Sequence, residues 1–182
     1  MRTHYNIMQR LVHWAVALIV VGSLTIGLIL GRLGYDGVVA TFGNDVTNLL
    51  YKYHKTFGVL ILSLMALRVI LKLSFGKPDY AEPLPGFQRA ASASVHGLLY
   101  LGLLAMPVLG WLATASGGYP VEFFDWKLPA LIGKDKELSA TLYTVHRTLG
   151  WVIGGLILVH LSAAFYHWRI RRDGVIERMS LF

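Results

Sequence analysis

The chemistry open to this chain rests on histidine. Cysteine is absent, which removes disulfides, thiolate metal sites, iron–sulfur clusters and the C-x-x-C-H attachment of c-type haem. Of the seven histidines, His13, His54, His96, His146 and His160 lie in or at the mouths of long apolar stretches, and His167 closes the last one. Ionisable side chains are costly to place in lipid, so each of these is a functional candidate. His4, in the polar N-terminal segment, reads as a solvated residue.

His146 and His160 are the most informative pair. They are fourteen residues apart, which on a helix is about 40° short of four full turns and about 21 Å of rise. Both imidazoles therefore look to one face, one near each end of the span. Each needs a partner at its own depth on another span. Depth pairs His13 with His160 and His54 with His146. Two opposed neutral imidazoles across a bundle are the geometry of bis-histidine haem iron.

Two rival readings stand beside it. One is polar groups bonded across helices with no cofactor; the other is zinc or copper. His146 and His160 are too far apart to share one ion, and no acidic or sulfur ligand helps them. Gly58 and Gly150 each follow a ligand candidate by four residues, on the same helical face. They offer either flat ground for a macrocycle or close helix packing.

The elements that must hold these side chains are membrane spans. Hydrophobic residues make up 55% of the chain and charged ones only 15%, against roughly a quarter charged in a soluble domain. Four apolar stretches, at about 11–30, 54–75, 93–115 and 142–168, each reach the ~20 residues that cross a bilayer as helix. The expected fold is all-α, a single domain over 1–182 forming an integral membrane four-helix bundle. Residues 31–53 and 116–141 read as loops, with turn signals at Gly34–Gly37, Gly43–Asp45 and Gly117–Pro120. The amphiphilic stretch Pro120–Leu131 suits the membrane surface. Residues 76–90, with Pro78, Pro83, Pro85 and Gly86, read as a stiff irregular linker.

Charge gives the orientation. Ten Lys and Arg fall at the N-terminus, the 67–95 connection and the C-terminal tail, against seven on the opposite side. The positive-inside rule then puts both termini in the cytoplasm. The first span is too long for a cleaved signal, lacks a small-x-small site and carries His13 and Trp14, so it is read as part of the working protein. The net charge of +7 comes with no basic stripe or recognition motif, so no nucleic-acid partner is expected.

The motifs R-L-V-H-W (10–14), Y-H-K-T-F-G (53–58), A-L-R-V-I-L-K (66–72), H-G-L-L-Y-L-G-L-L-A-M-P-V-L-G-W (96–111), V-H-R-T-L-G-W (145–151) and V-H (159–160) carry a family likeness. In combination they resemble the bacterial cytochrome b561 group of four-helix dihaem cytochromes. The likeness covers nearly the whole chain. It implies two haems b, one on His13 and His160 toward the cytoplasm and one on His54 and His146 toward the periplasm. It also implies electron exchange with quinone, in some members from superoxide to ubiquinone. It suggests that His96 and His167 bond a quinone carbonyl and exchange protons. Interfacial anchoring or ordinary hydrogen bonding is their alternative.

Basic residues beside the ligands carry two readings as well. Lys55 and Arg147 either pair with haem propionates or snorkel to lipid phosphate, and for Arg68 and Lys72 snorkelling is preferred. Trp14, Trp111, Trp151 and Trp168 are either interface anchors or haem-packing residues. Three functions follow: a quinone-linked redox protein acting alone, superoxide among its candidate donors; an anchor and relay subunit for a hydrogenase, a formate dehydrogenase or another periplasmic redox partner; and a proton-handling transporter without haem.

Overall fold

The computed structural model describes residues 3–80 and 84–181. Three long helices account for most of them: α1 (Ile7–Phe75), α2 (Gly86–Ser116) and α3 (Lys136–Tyr166). α1 is too long for one span, and two glycines break it. Gly34 (φ 65, ψ 176) and Gly43 (φ 79, ψ 167) take a backbone conformation that side chains oppose. The two arms, 7–33 and 44–75, fold against each other as an antiparallel pair. A four-helix membrane bundle results.

Residue Gln9 ties the arms at their open end. Its side chain accepts from the Asn6 N–H at 3.0 Å, completing a capping box, and its amide donates to the carbonyls of Leu71 (3.3 Å) and Gly76 (3.1 Å). Deeper in, Val12, Val16 and Val20 of the first arm pack on Ile61 and Met65 of the second. Tyr100, Leu103 and Leu104 of α2 and Ile157 of α3 close over them. Large apolar residues face outward all round, among them Leu18, Leu73, Leu101, Leu158 and Trp151. That surface needs lipid.

Three expectations about the connections are corrected. Residues 31–53 are not a loop: the backbone stays helical between and beyond the two glycines, and Val38 is fully buried. The glycines act as hinges within helix, so the second arm starts ten residues before the expected 54. The linker 76–90 ends at Pro85, which stands at the N-cap of α2, a position where proline's fixed φ suits a helix entry. Pro83 and Glu82 lie outside the described residues.

The third correction concerns 116–141. Its amphiphilic stretch is a hairpin of β1 (Val121–Phe123) and β2 (Trp126–Leu128), antiparallel with Glu122 opposite Lys127. Phe124 in its turn takes a left-handed φ of 54 and donates its N–H to Thr56 Oγ1 at 3.1 Å. Lys52 pairs with Asp125 at 2.6 Å, and Lys55 pairs with Glu122 and donates to the Pro120 carbonyl. The hairpin is thereby fastened onto the second arm beside His54.

At the other end the tail folds back. Beyond α3 a π-helical turn, His167–Arg171, and a 3-10 turn, Glu177–Met179, bring the C-terminal segment across the start of α1. The Tyr5 N–H donates to the Arg178 carbonyl (3.0 Å), Arg10 to Ser180 O (2.7 Å) and Trp14 to Met179 O (3.0 Å). The two ends of the described chain lie at one end of the bundle.

Candidate functional site

Helix α3 sets the site, because it carries both His146 and His160. At one end of the bundle the His54 and His146 ring centres are 6.0 Å apart, with planes at 85°. At the other, His13 and His160 are 6.3 Å apart at 74°. His96 of α2 stands 5.1 Å from His160, closer than His13 does. His167 does not join that group: its Nδ1 bonds to Asp173 Oδ2 at 2.7 Å, and Arg171 holds the same carboxylate at 3.1 Å.

The His54 and His146 rings are held by one device used twice. His54 Nδ1 donates to the Ser23 carbonyl at 3.1 Å and lies over Gly27, one turn further along the same arm. His146 Nδ1 donates to the Met106 carbonyl at 3.1 Å and lies over Gly110, one turn further along α2. A Cβ at Gly27 would sit 2.8 Å from His54 Cε1, and one at Gly110 2.9 Å from His146 Cε1. Only glycine lets a ring come close enough to reach a carbonyl already inside a helix. The bond fixes the proton on Nδ1 and leaves the Nε2 lone pair for another partner.

Neither glycine was picked out from the sequence. Their signal there is a glycine within an apolar run at a histidine's depth. Of the two glycines read from the sequence, Gly58 faces open space, and a Cβ at Gly150 would sit 3.2 Å from Met106 Cε. Lys55 is engaged by the hairpin, while Arg147 is exposed and lies along Gly31, with no acidic partner among the described residues. Trp14 and Trp111 spend their indole N–H on backbone carbonyls, and Trp151 and Trp168 face outward.

The comparison with known families decides what such a bundle is for. The family described as prokaryotic cytochrome b561 matches residues 4–180. The chain belongs to that family. It is similar to cytochrome b561 homolog 2 of Escherichia coli (strain K12), 28% identical over 180 residues, 96% of this chain and 90% of that protein. Cytochrome b561 homolog 1 of the same organism is 28% identical over 137 residues, 75% of this chain and 78% of that protein. The probable superoxide oxidase CybB of Yersinia pestis is 28% identical over 127 residues, 69% of this chain and 72% of that protein.

Membership makes this a membrane electron-transfer protein that binds haem b. The histidine geometry fits the cofactor of a cytochrome b561. A metal–imidazole bond of about 2 Å, with each nitrogen about 1.1 Å from the centre of a ring of 1.33 Å bonds, sets ring centres roughly 6 Å apart across one metal. Both pairs meet that separation. Among the described residues no three His, Cys, Asp or Glu cluster to hold an ion, and structural zinc wants four ligands.

Proposed function

We propose that this chain is a dihaem cytochrome b that carries electrons between a periplasmic-side donor and the quinone pool. In this reading residues 1–182 act as one domain in the bacterial inner membrane, with both termini in the cytoplasm. His54 and His146 hold the periplasmic-side haem, and His13 and His160 the cytoplasmic-side one. One observation carries the reading: two histidine pairs, each at ligand separation, at opposite ends of one bundle.

When bound, haem b supplies reversible one-electron chemistry. The chain's residues hold and serve it. The Ser23 and Met106 carbonyls keep the proton of His54 and His146 on Nδ1, so that Nε2 presents its lone pair. Arg147, with no carboxylate partner among the described residues, is the better of the two candidates for a haem propionate; Lys55 is occupied by Glu122.

On the cytoplasmic side His96 and His167 serve ubiquinone. Full reduction of a quinone takes two protons as well as two electrons, and imidazole moves protons near neutral pH. His96 donates Nδ1–H to its own helix at Ser92 O (2.6 Å), and His167 rests on Asp173. Each ring then has its other nitrogen to offer.

Superoxide is the donor favoured by likeness to the Yersinia protein. Exposed Lys127, Lys134 and Lys136 lie outside any ion pair among the described residues and would draw an anion. A second reading, the relay subunit, has its own support. The hairpin ends in an exposed Trp126, with Tyr119 and Leu131 exposed beside it, an aromatic patch suited to a periplasmic redox partner.

Pyridine haemochrome analysis of the purified chain is the test. About two protohaems per polypeptide are expected. His54→Ala and His146→Ala should remove the same haem, and His13→Ala and His160→Ala the other. A fully membrane-integrated preparation without haem would end the proposal.

A further inference from the structure

Three buried side-chain nitrogens lack a hydrogen-bond partner among the described residues, and all three lie at the His13 end. They are Arg10 Nε, His13 Nδ1 and Arg178 Nε. Arg178 is only 7% exposed. Its guanidinium lies 4.0 Å from the Tyr80 ring centre and 5.4 Å from that of Tyr5, and its Nη2 donates to the Pro78 carbonyl. Arg10 is half-buried one turn before His13, and the tail crosses it. Arg68 and Lys72 on the second arm share the face of Tyr100, at 5.3 and 4.7 Å.

No carboxylate answers these cations among the described residues. Asp173 is taken by His167 and Arg171, and Asp79 and Glu177 are exposed. Nor does tyrosine supply the charge. Burial pushes the Tyr5 phenol above its ordinary range, against the opposing pull of Arg178, so it stays neutral. A buried guanidinium without a counter-charge is strongly unfavourable, and an arginine fork is shaped for an oxyanion.

We propose that Arg10 and Arg178, with Arg68 behind them, form an oxyanion pocket that takes the propionate carboxylates of the haem held by His13 and His160. This rests on the dihaem reading. The pocket adjoins that ligand pair through Arg10, which shares a helical face with His13. The C-terminal tail thereby becomes part of the haem site, because it brings in Arg178.

An anionic phospholipid headgroup offers the same oxyanion chemistry, so the experiment separates the two sources. Haem transfer from the purified holoprotein to apomyoglobin is followed for wild type, Arg178→Met and Arg178→Lys. The chain is also reconstituted with protohaem or with its dimethyl ester, whose propionates carry no charge, and bound phosphatidylglycerol is counted by native mass spectrometry. Arg178→Met should release the His13/His160 haem about tenfold faster, the loss of one charge-assisted bond. The His54/His146 haem should be unmoved and so report intact folding. Arg178→Lys should fall nearer wild type.

With the dimethyl ester, wild type and Arg178→Met should release haem at equal rates. Equal rates with protohaem would overturn the pocket, as would loss of phosphatidylglycerol with haem release unchanged. If Arg178→Met loses both haems, Arg178→Lys decides: both haems kept, with His13/His160 release slower than in Arg178→Met, supports the pocket, and the same double loss refutes it. Failure of the dihaem reading shows itself separately, as a haem that survives both His13→Ala and His160→Ala.

Discussion

The two ends of the bundle use the same side chain in opposite settings. At the His54/His146 end each ring is held by a helix carbonyl over a glycine, and the hairpin closes the end with ion pairs. At the His13/His160 end the pair has a third histidine beside it and, among the described residues, an imidazole nitrogen with no partner and cations without carboxylates. At one end each ring's Nδ1 is satisfied by the protein. The other is built to be completed by something it binds. Ligand identity fixes which metal group can sit between two histidines, and the surroundings fix what each centre does.

The sharpest way to break this contrast is to fill a glycine. Gly27→Val or Gly110→Val should drive its histidine off the carbonyl and abolish the His54/His146 haem, leaving the other haem in place. Overpacking of this kind costs about 1–3 kcal/mol beyond the lost ligand. Reduced-minus-oxidised spectra would show it. A variant retaining both haems at full occupancy would mean that the ring has room the structure does not show.

A smaller effect is expected at the quinone site proposed for the other end. His96→Ala and His167→Ala should leave both haems spectroscopically intact while slowing reoxidation by a short-chain ubiquinone by an order of magnitude or more, about 100-fold being the low end of what a proton-transfer residue contributes. Stopped-flow mixing of the reduced protein measures the rate. Wild-type rates in both variants would dismiss the site. Loss of a haem in His96→Ala would make His96, which stands nearer His160 than His13 does, a ligand.

The smallest effect belongs to the hairpin. Glu122→Gln removes the partner of Lys55, an ion pair of partly exposed groups, and should cost about 1 kcal/mol or less. Thermal bleaching of the Soret band would register it, and only for the His54/His146 haem. A shift at the other haem would deny that the ends are independent.

Much of this could be read from residue order because lipid imposes a length and a depth. Four apolar runs imply four helices, and a histidine's place in its run implies its height, which is enough to bring His54 near His146 and His13 near His160. What order does not carry is contact between backbones. Gly27 and Gly110 matter through the ring lying on them, and a glycine within an apolar run looks the same whether it meets a ring or a lipid tail. Arg178 is 168 positions from Arg10 in the chain, and only the folded tail makes them neighbours. Residues 31–53 read as a loop yet fold as helix, because glycine marks both turns and helix hinges.

Helix α3 works as a camshaft. It carries one histidine of each pair on a single rigid body, so any rotation of α3 retunes both centres at once. Their opposite numbers sit on the two arms of α1, on either side of the breaks at Gly34 and Gly43. One residue inserted between His146 and His160 would turn one lobe against the other by about 100°, and no adjustment of α3 alone would restore both. An adaptation that alters one centre and spares the other must therefore come through α1 or α2.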